Sequence, residues 1–282
     1  LKGHVAHVSS GAVSGDGSWL VTGAADGLVR MWDAKFSRSS ILPGQGKGVN
    51  VVAISPDSRW IAAGSEDGGV RVWDHNNPGA DPSILKGHSD SVGVLSFSPD
   101  SEWILSGSRD RRSIVWNVSY PLLSPFVMAH ADEVSAARFS PDGHRVITAA
   151  RNGLANQVCV WDWREPHRNP VRVPVENDSR VNTAVRLAVS RNSRWLAAGA
   201  SRGSIVLVDI QNPSEAPVIL RGHESMIESL GMTPDSDRLI SVAADRTARS
   251  WDTQSPFGVA SLRSSANPLA LHIDSDRRIL IT

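Results

Sequence analysis

The chain has 282 residues, and its 29 lysine and arginine residues balance its 29 aspartate and glutamate residues, so the formal net charge is zero. General nucleic-acid binders carry a strongly basic face, so this balance argues against that class and no nucleic-acid partner is expected. A single cysteine, Cys159, excludes an intrachain disulfide and a cysteine-based zinc cluster. No run approaches the roughly 20 consecutive apolar residues of a membrane helix, so membrane insertion is not expected.

Short strand-like segments separated by turn residues follow one another along the chain. In the third such stretch, strands are predicted at residues 92–97, 103–106, 113–116 and 122–128. β-branched and aromatic residues fill these segments, whereas proline, serine and aspartate occupy the turns between them. No window of about 12 residues shows helical spacing of apolar residues without a turn signal inside it. The pattern therefore predicts an all-β protein.

A Trp-Asp dipeptide recurs at intervals of 41 to 47 residues. The dipeptide or its degenerate form begins at Trp32, Trp73, Trp116, Trp161, Val208 and Trp251. Upstream, a Gly-His pair or a related dipeptide ends at His4, Lys47, His88, His130 and His223. Ser-Pro-Asp or Thr-Pro-Asp turns lie between these marks. A period slightly above 40 residues predicts four strands per repeat, arranged as a β-propeller.

These marks together resemble the WD40-repeat family of β-propellers over essentially the whole chain, and the segments between repeats resemble bacterial WD40 arrays. The resemblance implies a seven-bladed β-propeller of four-stranded antiparallel blades, with the last blade incomplete. Residues 1–282 are expected to form a single domain of six full repeats and the first half of a seventh. Residues 269–273 and 278–282 would supply the two strands of that half, and residues 1–3 would complete the blade. An unfinished blade exposes a strand edge, so the natural protein is expected to continue.

In this family, a histidine, a hydroxyl residue, an aspartate and a tryptophan form a hydrogen-bonded tetrad that holds each blade. Three repeats carry all four residues, with the last three at 18, 22 and 28 positions after the histidine. The matching sets are His4, Thr22, Asp26 and Trp32; His88, Ser106, Asp110 and Trp116; and His223, Ser241, Asp245 and Trp251. A buried imidazole needs partners for both nitrogens, which explains a structural role for these residues.

Three repeats depart from the tetrad. The second is interpreted as having Lys47 in place of the histidine and Ala63 in place of the hydroxyl residue. The fourth has Asn152 in place of aspartate, and the fifth has Ala198, Arg202 and Val208 at three positions. These blades are predicted to be held mainly by apolar packing. They are expected either to be locally less stable or to be reserved for contacts that use Lys47, Asn152 and Arg202. A second tryptophan series, Trp19, Trp60, Trp103 and Trp195, is interpreted as edge packing, with an exposed aromatic patch as the alternative.

Catalytic motifs were not found. The HExxH pattern does not occur, and the histidines outside the tetrads share no metal-ligand spacing. Cys159 lies in a predicted strand and is interpreted as a buried, unreactive thiol. The protein is therefore not expected to be an enzyme, and no cofactor or metal is expected.

The family resemblance places peptide- and protein-binding loops after the histidine position and before the turn aspartate. The candidate partner-binding residues are Glu66, Asp90, Arg109, Asp132, Glu133, Arg151, Arg202 and Glu224. Arg109 and Arg151 in particular could grip an acidic or phosphorylated segment, unless they are ordinary solvated charges.

The expected function is a non-catalytic interaction scaffold or sensor. The alternative is a regulatory or targeting domain of a larger signalling enzyme, with a kinase, protease or nucleotide-hydrolysing domain outside this sequence. A cytoplasmic location is expected, and the sequence leaves the partner and the oligomeric state open.

Overall fold

The computed structural model describes residues 3–35, 38–44, 46–150, 157–165, 169–175, 186–199, 202–212, 215–254, 259–263, 271–273 and 279–281. The chain forms two compact units. Unit 1 comprises Leu1–Phe139 and Trp163–Pro166, and unit 2 comprises Ser140–Asp162 and His167–Thr282. The regular elements of the described residues are all β-strands.

Unit 1 contains the first thirteen strands. In chain order, β1 to β13 are Val8–Val13, Trp19–Ala24, Val29–Asp33, Ser39–Ile41, Val49–Ile54, Trp60–Ser65, Val70–Asp74, Ser83–Leu85, Val92–Phe97, Trp103–Ser108, Arg112–Asn117, Phe126–Ala129 and Val134–Phe139.

Unit 2 contains the remaining strands of the described residues. In chain order, β14 to β26 are Val146–Ala150, Gln157–Trp161, Val171–Pro174, Arg186–Val189, Trp195–Gly199, Ile205–Asp209, Val218–Leu220, Ile227–Met232, Arg238–Ala243, Thr247–Asp252, Val259–Arg263, Leu271–Ile273 and Ile279–Ile281.

Within the described residues, the strands form six four-stranded sheets and one two-stranded sheet, and each strand pairs with its neighbour in the chain. Sheets 1 to 6 take four strands each in chain order, and sheet 7 consists of β25 and β26. The boundary between the two units falls inside sheet 4, between β13 and β14. The prediction of four-stranded antiparallel sheets with an incomplete last sheet is confirmed.

The third repeat shows how closely the predicted strands match. Three of its four strands lie where the sequence pattern places them, extended by at most two residues. The fourth begins at Phe126 rather than at Leu122, because residues 121–123 form a turn in which Leu122 is fully exposed. The single domain over residues 1–282 stays a prediction. So does the role of residues 1–3, of which Leu1 and Lys2 lie outside the described residues.

Burial rises from the margins of each sheet to its middle. The second strands are almost entirely buried, as in β6 and β10, whereas the fourth strand β4 is exposed throughout. Side chains of the next sheet cover the second strand closely within each unit. At Gly64 of β6, an added Cβ would lie 2.7 Å from Val92 Cγ1 of sheet 3, so glycine permits this approach. Apolar packing of this kind supplies the main stabilisation of the sheets.

Candidate functional site

The two turns at one end of each complete sheet carry most of the residues singled out in the sequence. This end contains the turn between the second and third strands and the loop that enters the first strand; we call it the tetrad end. The opposite end contains the Ser-Pro-Asp turns.

In sheet 1, four side chains form a continuous hydrogen-bonded chain. The indole Nε1 of Trp32 donates to Thr22 Oγ1 at 2.8 Å, and Thr22 Oγ1 lies 2.8 Å from His4 Nε2. Nδ1 of His4 lies 3.0 Å from Asp26 Oδ2. An indole can only donate, so the hydroxyl accepts from it and gives its own proton to Nε2, which leaves the ring proton on Nδ1 facing the carboxylate.

Sheet 3 repeats this geometry with a serine as the hydroxyl residue. His88 lies 2.8 Å from Asp110 Oδ2 and 2.8 Å from Ser106 Oγ, and Trp116 Nε1 donates to the same Ser106 Oγ at 2.8 Å. Burial lowers the pKa of His88, so its ring is neutral near pH 7. Burial alone would raise the pKa of Asp110, but hydrogen bonds from His88 and from backbone N–H groups outweigh it and lower that pKa.

Sheet 6 carries the same chain with one additional member. His223 lies 2.9 Å from Asp245 Oδ2 and 2.7 Å from Ser241 Oγ, which also accepts from Trp251 Nε1 at 2.8 Å. The hydroxyl of Thr247 donates to Asp245 Oδ1 at 2.6 Å. Against the effect of burial, these donors lower the pKa of Asp245 to about 2. The carboxylate is ionised and its hydrogen-bonding capacity is largely used.

The three complete tetrads act as locks of the turns. Each aspartate also accepts backbone N–H groups on both sides, for example from Val5 and Leu28 to Asp26 at 3.0 Å each. One carboxylate therefore ties the entry loop to the turn between the second and third strands. Because both nitrogens of each histidine are used within the fold, the rings have no free position for a substrate or metal. In the described part of the chain, no group of three or more His, Cys, Asp or Glu residues could hold a metal ion.

Sheet 2 locks its turn with an arginine instead of a histidine. The guanidinium of Arg71 donates to both oxygens of Asp67, at 2.7 and 3.3 Å, and its Nε donates to Gly44 O at 3.0 Å. This contact holds the pKa of Asp67 well below its usual range. Trp73 Nε1, lacking a hydroxyl partner because residue 63 is alanine, donates to Pro43 O at 3.0 Å. The expectation of mainly apolar packing in this sheet therefore misses a polar lock.

The position assigned to Lys47 also needs correction. Its carbonyl accepts from Ser65 Oγ, as the carbonyl of Asp90 accepts from Ser108 Oγ in sheet 3. Since Asp90 lies two residues after His88, Lys47 lies two residues after the histidine position of its own repeat. That position is Gln45, which lies outside the described residues. The Gly-Lys dipeptide resembled Gly-His but is displaced from it by two residues.

Sheets 4 and 5 keep parts of the pattern. Trp161 Nε1 donates to Thr148 Oγ1 at 2.8 Å, while Asn152 lies outside the described residues. His130 Nε2 lies 3.0 Å from Ser113 Oγ of sheet 3, and burial lowers its pKa to about 4. In sheet 5, the replacements Ala198 and Val208 are buried and every residue of β19 is buried. This last sheet matches the expected apolar packing.

The second tryptophan series packs within the fold. Trp19 is buried and stacks on His75 with ring centroids 4.3 Å apart, while the other three tryptophans are half-buried. Trp103 contacts Trp163 at 5.0 Å, and the guanidinium of Arg59 lies 4.5 Å from the ring of Trp60. An exposed aromatic patch is therefore absent from these four positions. Cys159 is likewise buried, and burial raises its pKa to about 11.

The candidate partner-binding residues differ in exposure. Glu66, Asp90, Arg109, Arg202 and Glu224 are exposed, whereas Asp132 and Glu133 are half-buried, and Arg151 lies outside the described residues. The structure brings Arg109 and Glu133 together, with Nε and Oε2 3.7 Å apart. Whether Arg109 lies beside Arg151 is outside what the structure describes.

Close contacts between neighbouring loops hold these side chains in place. Gly68, next to the turn of Glu66, has a φ of 79°, and an added Cβ would lie 2.8 Å from His88 O in the loop that carries Asp90. Gly203 places the turn of Arg202 against the loop of Glu224 in the same way, within unit 2. In sheet 3, Arg111 takes the equivalent backbone conformation, with a φ of 68°, and its carbonyl accepts from His130 N at 2.9 Å.

Sequence reasoning missed a cavity at the tetrad end of sheet 6. Its volume is about 570 Å³. It is lined by the polar residues Glu224, Ser225, Asp245, Arg246, Thr247 and Arg249. Only Glu224 among the candidate partner-binding residues lies there. The arginines share a sequence signal that could have marked the site: Arg246 follows the turn aspartate, and Arg249 lies two residues before the tryptophan.

The described residues contain no helix that could cross a membrane. Comparison with known proteins agrees with the repeat pattern. The WD40 family model (WD domain, G-beta repeat) matches residues 1–33, 36–74, 80–117, 123–162 and 215–252. A guanine nucleotide-binding protein subunit beta of Zea mays is 30% identical over 130 residues, which is 43% of this chain and 33% of that protein.

An uncharacterised WD repeat-containing protein of Synechocystis is 29% identical over 144 residues, which is 48% of this chain and 36% of that protein. The chain thus spans about a third of the length of the relatives it matches. The family match covers well over half of the chain and coincides with the sheets whose tetrads are described above. The chain therefore belongs to the WD40-repeat family.

Proposed function

We propose that this chain is a non-catalytic scaffold or sensor module that binds peptide or protein segments at the tetrad ends of its sheets. WD40 domains are generally protein-interaction scaffolds and typically lack catalytic activity. The observation that carries the proposal is the set of exposed charged side chains, Glu66, Asp90 and Arg109, on turns held by side-chain hydrogen bonds and ion pairs.

The rigidity of these turns favours binding. Glu66 stands directly before Asp67, and Arg109 directly before Asp110, so each exposed charge is adjacent to a locked aspartate. A partner that meets such a surface does not need to order it, which lowers the entropic cost of association. Both charge signs are present, and the net charge of the chain is zero, so a protein segment of mixed charge fits this surface better than nucleic acid.

Affinity capture from the source cell, read by quantitative mass spectrometry, tests the proposal. The bait is the present chain, and the test variant combines Glu66→Lys with Arg109→Glu. The matched control, Glu102→Lys with Arg191→Glu, reverses the same two signs in exposed turns at the opposite ends of sheets 3 and 5. Partners of the wild-type chain should be depleted with the test variant and retained with the control.

Two results would contradict the proposal. The first is retention of every partner by the test variant. The second is equal depletion by the control variant, which would place binding away from the tetrad ends or reduce it to general charge attraction. A circular dichroism spectrum unchanged from wild type establishes that both variants are folded.

A further inference from the structure

The cavity of sheet 6 contains two guanidinium groups that have no partner within the described residues. Arg246 is exposed and Arg249 is half-buried, and among the described residues neither side chain forms a hydrogen bond or an ion pair. The Nε atom of Arg249 is moreover buried and lacks a hydrogen-bond acceptor. Buried N–H groups without an acceptor are rare in folded proteins, and a ligand that supplies the acceptor is one physical reason for their presence.

Sheet 2 shows what an arginine at this position can bind. Arg71, like Arg249, lies two residues before the tryptophan of its repeat. Its guanidinium takes a carboxylate in a forked arrangement, and its Nε donates to the carbonyl of Gly44. The planar donors of arginine match the two oxygens of a carboxylate. The same backbone position therefore presents a carboxylate-binding fork when a carboxylate is within reach.

In sheet 6, the internal carboxylate is already occupied. Asp245 accepts hydrogen bonds from His223, Thr247 and the backbone of Glu224, so Arg249 is not its partner. Burial lowers the pKa of His223, and the nearby charge of Arg249 acts in the same direction, so this histidine stays neutral. Arg249 therefore does not pair with the turn aspartate of its own sheet as Arg71 does in sheet 2. The hydrogen-bond donors of Arg249 line the cavity instead.

Arg246 adds a second cation in an unfavourable backbone conformation. Its φ is 64°, and the equivalent turn positions in sheets 1, 2 and 5 are Gly27, Gly68 and Gly203, with φ between 76° and 80°. A residue with a Cβ is disfavoured in this left-handed conformation. Arginine at this point places a charge at the cavity, which a glycine would not.

The charges of the cavity select the ligand. The two arginines are formally balanced by Glu224 and Asp245, so the cavity has no surplus positive charge for a phosphate dianion. A single carboxylate needs only one arginine fork and adds one negative charge to this balance, whereas a phosphate dianion would add two. The volume of about 570 Å³ lies in the range of sites that hold a small molecule or a few side chains of a peptide.

We propose that Arg249, assisted by Arg246, binds the carboxylate of an aspartate or glutamate side chain in a partner segment at the tetrad end of sheet 6. The proposal rests on the proposed function, because it assumes that protein segments dock at this end. It adds the chemistry that the segment must carry and the two residues that read it.

The arginine Nε–H resonances of the 282-residue chain, labelled with ¹⁵N-arginine, test this directly. The variant Arg249→Lys assigns the Arg249 signal by its disappearance. Acetate is the probe of the carboxylate, and inorganic phosphate is titrated in parallel at constant ionic strength. We expect acetate to shift the Arg249 signal with saturation in the millimolar range, and phosphate to bind more weakly.

Arg246→Gly removes the second cation while giving the turn the residue that sheets 1, 2 and 5 have there. It should weaken acetate binding roughly tenfold, because a charge-assisted contact is lost. The matched control is Arg111→Gly, which makes the same backbone and charge change in sheet 3 and should leave the Arg249 titration unchanged.

Three outcomes would overturn the proposal: no shift of Arg249 with acetate, an equal shift of Arg30, whose Nε is also buried and unpaired in sheet 1, or stronger binding of phosphate than of acetate. Because this titration needs no protein partner, its failure is distinguishable from a failure of the capture experiment. A negative titration with a positive capture would mean that partners bind at the tetrad ends without this carboxylate contact.

Discussion

Sheets 2 and 3 hold the same turn by different chemistry. In sheet 3, the neutral ring of His88 links Asp110 to Ser106 and Trp116, and both the histidine and the aspartate side chains are nearly inaccessible to water. In sheet 2, a charged Arg71 reaches Asp67 from the third strand, and the aspartate side chain is 28% exposed. The two sheets share the turn aspartate, whereas its partner is a buried neutral ring in sheet 3 and a half-buried cation in sheet 2.

Loss of Trp116, the indole donor of the tetrad in sheet 3, should destabilise the protein most. Trp116→Ala removes a side chain that is 3% exposed and leaves Ser106 without its indole donor. We expect the free energy of unfolding to fall by about 3–5 kcal/mol, the range for such truncations. Urea denaturation followed by fluorescence measures it, with Trp60→Ala in the half-buried series as the control for loss of one indole.

Removing the side chain that pairs with each aspartate should lower the free energy of unfolding by different amounts in the two sheets. His88→Ala leaves a buried carboxylate short of one donor and should cost about 1–3 kcal/mol, because backbone N–H groups still bind Asp110. Arg71→Ala breaks a more exposed pair and should cost about 1 kcal/mol or less. Equal losses in urea denaturation would show that burial does not distinguish the two locks.

Acid should affect the two sheets differently. The pKa values of His88 and His130 are lowered in the folded state, so the unfolded chain binds protons first as the pH falls. Stability is therefore full above pH 6.5 and declines as the pH falls below it; for His130 the decline is about 1.4 kcal/mol per pH unit down to about pH 4.

The Asp67–Arg71 pair contains no histidine, and the pKa of Asp67 lies well below this pH window. The pair therefore persists through the window. Hydrogen exchange at pH 7 and pH 5, corrected for intrinsic rates, should show loss of protection in β10 and β11 before β6 and β7. A uniform loss across these strands would contradict the distinction.

The smallest effect concerns the backbone of the two turns. Arg111→Gly should stabilise sheet 3 by about 0.5–1 kcal/mol, because a φ of 68° suits glycine. The reciprocal change Gly68→Ala should destabilise sheet 2, because its Cβ would lie 2.8 Å from His88 O. Thermal unfolding of both variants checks the signs, and a lowered melting temperature of Arg111→Gly would show that the arginine side chain stabilises its turn.

The regular spacing of a few residue types anticipated much of the fold and part of the candidate site. The offsets of 18, 22 and 28 residues from His88 coincide with the side chains that meet in sheet 3. The same reasoning misplaced Lys47, because a Gly-Lys pair lies two residues beyond the position that the hydrogen bonds define. It also overlooked Arg71 and Arg249, because an arginine two residues before a tryptophan does not reveal its partner.

The number and order of the strands follow from the amino-acid sequence alone, since turn residues and alternating apolar segments are local properties that repeat every 41 to 47 residues. The partner of each arginine, by contrast, depends on how the folded sheet packs. Arg71 binds an internal carboxylate because no histidine occupies it, whereas Arg249 faces a cavity because His223 does. That outcome depends on which donor reaches a shared aspartate in space, and competition for one acceptor is a property of the packed sheet rather than of any segment in it.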